Sequence, residues 1–209
     1  DMIRIEGVEK LSGCIHEVIP DRIETGTFML AAAITRGRIL VKNGIPSHVR
    51  PVTAKLKECG VKVDTTAEGI LVDATEGEFV ATDIKTLPFP GFPTDIQSPF
   101  MAFLTTCQGK SYVKETVFEN RFMHVVELNR MGADIAIENR EAIIKGGKPL
   151  HGAKVRATDL RAGAAMVLAG LVASGTTEVS EIYHIERGYE NFVSKFKSLG
   201  ADIMKVGED

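Results

Sequence analysis

Apolar positions fall into three kinds of run. The first kind is apolar on every side: FMLAAAI after Asp21, SPFMAFL after Asp95 and AGAAMVLAGLVA after Asp159. A helix without a polar stripe must be buried all round. The second kind recurs at helical spacing. In YENFVSKFKSLG, Phe192, Val193, Phe196 and Leu199 share a face while Lys195 and Lys197 point away. The third kind alternates, as in RILVKN, VKVD and ADIAI, and predicts strands.

These runs come in a fixed order, three times over. Asp21, Asp95 and Asp159 each open an all-apolar helix that ends before Gly37, Gly109 and Gly175. Each Gly is followed by an alternating strand and then by an Arg at nearly constant distance: Arg50, Arg121 and Arg187. An amphipathic helix then runs to Gly60, Gly132 and Gly200, and a strand follows each. Recurrence of this kind is the mark of a repeated supersecondary unit. The units fall at about 8–74, 75–147 and 148–209 and read as αβαββ. The Gly after each helix is expected to supply a left-handed C-terminal cap.

The pattern predicts one α/β (α+β) domain over residues 1–209, with pseudo-threefold symmetry and buried helices walled by sheets. Units one and two end in strand pairs, VKVDTTAEGILVDA and ADIAIENREAIIKGG, whereas unit three stops at ADIMKVGED. Its missing strand resembles MIRIEG at the other end of the chain. Residues 2–7 are therefore expected to pair with 201–206.

Composition adds limits. The 209 residues are 44% hydrophobic and 25% charged with a net charge of −3, which gives no electrostatic reason to expect nucleic acid or an anionic membrane as partner. No apolar run approaches the roughly 18 residues of a membrane span. The start, DMIRIEGVEK, alternates and carries charges, unlike a signal peptide. Cys14, Cys59 and Cys107 lack metal-like spacing and fit a reducing cytoplasm. Cys59 matches the core position of Met131 and Leu199, Cys107 lies in a buried helix, and nothing near Cys14 would activate it; all three read as inert. His124 and His184 read as surface or helix-packing residues, and no metal site is expected.

Candidate chemistry lies at the three Asp and the Arg. Asp is a good helix N-cap and the dipole favours its charge, so capping is the simplest role for Asp21, Asp95 and Asp159; Pro99 would then fall in the first turn of its helix. Such a carboxylate can still accept a hydrogen bond from a substrate hydroxyl and take its proton late in an attack on an electrophile. Arg121 and Arg187 follow strands at matching positions, and Arg161 lies two residues after Asp159. Convergent on one face, they would suit a small, highly anionic substrate. The plainer expectation is that each pairs with Glu119, Glu186 or Glu190 on a solvated surface.

HEVIPDRIETGTFM, FPTDIQ, ETVFENRFMHVVELNRMGA, ATDLRA and IYHIERGYE resemble the UDP-N-acetylglucosamine enolpyruvyl transferase family, over essentially the whole chain. The resemblance implies an enolpyruvyl transferase-like inside-out domain. It also implies transfer of the enolpyruvyl group of phosphoenolpyruvate to the sugar 3′-hydroxyl, with release of phosphate through a tetrahedral ketal, at the entry to peptidoglycan synthesis in the cytoplasm. No metal or organic cofactor is implied. Asp95 matches the carboxylate facing the sugar hydroxyl. Val117 and Phe118 match nucleotide-sugar contacts. Arg121, Arg161 and Arg187 match the anion-binding arginines, with Arg187 alongside Asp95 in a catalytic role, and Asp159 and Leu160 shape the site beside Arg161. The resemblance covers only the C-terminal half of such an enzyme. The other domain would bring a mobile loop with a reactive Cys (Asp in some members), a Lys and more arginines. This chain is therefore expected to fold, to bind ligand weakly and to lack turnover alone. The shikimate-pathway enolpyruvyl transferases and a non-catalytic module that binds anions or nucleotide sugars are the alternatives.

Overall fold

The computed structural model describes residues 2–207. Residues 1, 208 and 209, at the ends of the expected domain, lie outside them. Unit one holds α1 (Arg22–Ile34), β1 (Arg38–Lys42), α2 (Arg50–Glu58), β2 (Lys62–Thr66) and β3 (Gly69–Asp73). Unit two holds β4 (Ile84–Lys85), α3 (Thr94–Leu104), β5 (Lys110–Lys114), α4 (His124–Arg130), β6 (Ile135–Glu138) and β7 (Glu141–Lys145). Unit three holds β8 (Lys154–Arg156), α5 (Leu160–Gly170), β9 (Glu178–Ser180), α6 (Tyr183–Glu186) and α7 (Phe192–Ser198).

The all-apolar segments form the centre. Helix α3 packs against both α1 and α5, which also meet each other. Met29, Leu30, Phe100, Met101, Phe103, Ala165 and Met166 are sealed from solvent. The amphipathic helices lay one face on this centre, α2 through Val52 and Leu56 and α7 through Phe192 and Phe196. The rings of Phe28 and Phe196 stack at 5.0 Å, so the last helix of unit three closes on the first helix of unit one.

The sheets form the walls. Their strand orders are β1-β3-β2, β4-β5-β7-β6 and β8-β9. The last strand of units one and two sits centrally and antiparallel between two others, turning Ile70 and Val72, or Ala142 and Ile144, inward. Sequence pattern missed β4 and β8, two and three residues long, because alternation needs more length to show. Each pairs parallel with the strand after the buried helix, so α3 and α5 are crossover helices.

Gly60, Gly132 and Gly200 all take positive φ directly after the C-caps of α2, α4 and α7. In each case the glycine N–H bonds three residues back and the next N–H five residues back, as Gly60 does to Lys57 and Val61 to Leu56. This is the two-bond Schellman closure. The buried helices depart from the expected capping. Their glycines lie further on, and in unit one Arg36 rather than Gly37 takes the left-handed conformation.

The expected ladder between residues 2–7 and 201–206 is not formed. Neither segment carries strand structure, and residues 2–20 are all exposed. An alternating hexapeptide specifies a face, not a partner. Unit three is left with two strands, and Leu199, in the position where Cys59 and Met131 are sealed, is 49% exposed.

Candidate functional site

The repeat places three helix N-termini on one face, but it does not give the three Asp one job. Asp21 caps α1, accepting from Ile23 N at 2.7 Å. Asp159 caps α5, accepting from Arg161 N at 2.7 Å and Ala162 N at 2.9 Å. Asp95 caps nothing. Pro93 takes the N-cap position of α3, Asp95 is the second helical residue, and Pro99 falls beyond the first turn. The carboxylate is thereby free for longer-range partners.

Those partners are arginines. Arg121 Nη2 reaches Asp95 Oδ1 at 2.5 Å, and Arg161 Nη2 reaches Oδ2 at 3.4 Å. Both arginine side chains are 13% exposed, against 39% for Asp95. The Arg121 guanidinium lies over the Phe118 ring at 4.9 Å, and that of Arg161 lies 5.7 Å from the Tyr189 ring. Tyr189 is itself held by a 2.8 Å hydrogen bond with Thr27. Two stacked guanidinia thus share one carboxylate. Arg121 Nε and Arg161 Nη1 remain buried without partners, leaving donors for a further anion beside a helix N-terminus.

The plainer expectation for the arginines is corrected. Glu119 pairs with Arg140 and Glu186 with Lys205, not with Arg121 or Arg187. Arg50, the third member of the repeated position, only starts α2. Arg187 is exposed at the C-cap of α6 and makes no ion pair among the described residues. Its neighbour Gly188 packs against Leu160, the first residue of α5 and the one before Arg161. Val117 and Phe118 are 42% and 54% exposed on the turn after β5.

Two residues at the site escaped sequence reasoning. Glu115 is buried and accepts from the hydroxyls of Thr86 (2.7 Å) and Thr94 (2.9 Å) and from the amides of Val117 (2.8 Å) and Phe118 (3.0 Å). The signal was present: Ser111 and Val113 turn inward on β5, and Glu115, one residue past its end, keeps the same phase, where a carboxylate does not belong unless it is paired. Tyr189 is the second; burial raises its hydroxyl above the usual range. His124, expected either at the surface or packed against a helix, is buried beside Arg121. Burial pushes its imidazole down to about 4, with Asp159 opposing and Arg121 adding to the fall. Cys59 and Cys107 are buried side by side; the neighbouring thiol and then burial push Cys107 far above the usual thiol range. Cys14 is exposed. Among the described residues no group of three or more His, Cys, Asp or Glu could hold a metal ion, and no helix is long and apolar enough to cross a membrane.

The model of the EPSP synthase (3-phosphoshikimate 1-carboxyvinyltransferase) family matches residues 1–196. The chain belongs to this family. Curated relatives carry the name UDP-N-acetylglucosamine 1-carboxyvinyltransferase. That of Finegoldia magna is 60% identical over 98% of this chain and 48% of its own length. That of Geobacillus kaustophilus is 55% identical over 98% and 48%. The chain spans about half the length of the curated relatives it matches. Among solved structures, the enolpyruvyl transferase NikO from Streptomyces tendae superposes with a TM-score of 0.79 at 30% identity, covering 90% of this chain and 44% of that one. An EPSP synthase from Acinetobacter baumannii gives 0.72 at 17% identity, covering 89% and 46%, which speaks for the fold alone. The enolpyruvyl transferase architecture expected from the sequence is therefore the one observed.

Proposed function

We propose that this chain is one domain of a UDP-N-acetylglucosamine 1-carboxyvinyltransferase. The whole protein transfers the enolpyruvyl group of phosphoenolpyruvate to the 3′-hydroxyl of UDP-N-acetylglucosamine and releases phosphate, in the cytoplasm, for peptidoglycan. The observation that carries the reading is Asp95 held between Arg121 and Arg161 at the start of α3.

The chemistry follows from that cluster. Asp95 accepts the proton of the 3′-hydroxyl as the sugar oxygen bonds to C2 of phosphoenolpyruvate, while an acid supplied by the other half gives C3 a proton and makes it a methyl group. Arg121 and Arg161 exchange part of their hold on Asp95 for the phosphate and carboxylate of the substrate, with Arg187 closing from the rim. Fixed guanidinia in a partly dry site stabilise the charge of the tetrahedral ketal. The conjugate base of that acid then takes a proton back from C3 as the C2–O bond to phosphate breaks, which yields the enol ether and free phosphate. Val117 and Phe118 offer exposed apolar surface to the nucleotide sugar. No metal or organic cofactor enters. The other half of the protein is the required partner, because half of an interdomain site lacks both positioning and electrostatics. The family model is named for the shikimate enzyme, but relatives at 53–60% identity bear the sugar-nucleotide name.

The test is phosphate release from phosphoenolpyruvate by this chain mixed with the complementary half, offered UDP-N-acetylglucosamine or shikimate 3-phosphate. Release with the sugar nucleotide only, and none from the chain alone, is expected. Release with shikimate 3-phosphate, or from the chain alone, overturns the reading.

A further inference from the structure

We propose that Glu115 is a positioning residue that aligns the two halves of this site, an inference that rests on the function proposed above. Its two oxygens have separate duties. Oε1 accepts from Thr86 Oγ1, Val117 N and Phe118 N, and so fixes the turn that presents Val117 and Phe118. Oε2 accepts from Thr94 Oγ1, the residue before Asp95 at the start of α3. One carboxylate therefore ties the platform under Arg121 to the segment carrying Asp95.

The surroundings argue against an incidental carboxylate. Glu115 is 2% exposed and, among the described residues, has no ion-pair partner. A buried charge of that kind is tolerated only when hydrogen bonds saturate it. Here four donors from three segments do so. Thr86 is equally sealed and relays the link, since its Oγ1 also accepts from Thr116 N at 2.9 Å. A core built only for stability would place an apolar side chain at this inward position, as β5 does at Val113. The carboxylate fixes what an apolar residue cannot: two backbone amides and the helix start, in one register.

Glutamine separates charge from geometry. In Glu115→Gln the amide oxygen can keep the bonds of Oε1. The amide NH2 then faces Thr94, whose hydroxyl turns to accept. In Glu115→Ala the amides of Val117 and Phe118 lose their acceptor.

The full-length protein carrying Glu115→Ala or Glu115→Gln is assayed with phosphoenolpyruvate and UDP-N-acetylglucosamine. The Ala variant is expected to raise KM for the sugar nucleotide about tenfold, on the scale of one lost hydrogen-bonded contact. KM for phosphoenolpyruvate should stay within about twofold of wild type, and Gln should restore the sugar-nucleotide KM. A loss of folded protein with both KM values unchanged would make Glu115 structural only. Hydrogen exchange on this chain needs no turnover: the amides of Val117 and Phe118 should lose protection in Ala and keep it in Gln. Unchanged protection in Ala overturns the proposal whether or not the wild type proves to be the transferase. Lost protection with a wild type that ignores UDP-N-acetylglucosamine would retain the clamp and sink the functional reading alone.

Discussion

Acid should destabilise this domain well above the range where its carboxylates titrate, and His124 is the cause. In the unfolded chain an imidazole titrates near 6.5, whereas burial in the fold holds His124 at about 4. The folded pKa is depressed, so the unfolded state binds more protons between these values. Stability is full above the unfolded pKa and falls as pH drops through 6.5 towards 4. Applied to those two values, linkage gives a loss of roughly 2 kcal/mol between pH 7 and pH 5, and about 3 kcal/mol once pH is below both. Arg121 deepens the effect by repelling the imidazolium, and Asp159 opposes it. Glu58, Asp73 and Asp134 are held below their usual values by their own partners, so their contributions are lost only as pH falls through and below those usual values, under the pH 7 to 5 range.

The assay is urea unfolding at pH 7, 6 and 5 for the wild type and for His124→Gln, which carries no titrating ring. Only the slope of stability against pH is read, so a lower starting stability of the variant does not enter. Wild type should lose about 2 kcal/mol more than the variant over this range. Parallel curves, within about 0.5 kcal/mol, would refute the buried neutral imidazole.

Three further variants have expected outcomes. Asp95→Asn should shift the unfolding free energy by less than about 1 kcal/mol, because the ion pair is partly exposed. In the enzyme reconstituted with its other half, the same change should lower phosphate release about 10²–10⁴-fold, and a fall under tenfold would remove Asp95 as proton acceptor. Gly146→Ala should cost about 1–3 kcal/mol in thermal or chemical unfolding, since a Cβ there meets the backbone oxygens of Cys107 and Leu104, which cannot swing aside. Phe196→Ala should cost about 3–5 kcal/mol by removing the ring stacked on Phe28; a cost under 1 kcal/mol would mean that α7 does not seal the core as described.

Side-chain period was enough to place the buried and the amphipathic helices of each unit. An all-apolar helix has no face to give to water, so α1, α3 and α5 had to lie inside. An amphipathic helix ending in Gly has one face to bury and one way to stop, and α2, α4 and α7 obey. Strand pairing inside β2–β3 and β6–β7 was equally legible, because a short turn leaves few registers. These are local consequences of side-chain period and backbone sterics. Long motifs also carried the family, since few folds tolerate so many fixed residues in order. The motifs named Asp95, Arg121 and Arg161, but only the packed fold shows which of them meet. Asp21, Asp95 and Asp159 look equivalent, yet only Asp95 is released from capping, by a helix whose N-cap falls two residues earlier, at Pro93. Arg50, Arg121 and Arg187 look equivalent too, yet only Arg121 reaches Asp95. Glu115 reads as one more charge at the end of a strand until its four donors are assembled. Chain ends behaved the same way: MIRIEG has the alternation of a strand, and the fold leaves it unpaired. In every case the deciding quantity is the distance between segments remote in sequence, which packing sets and periodicity does not encode.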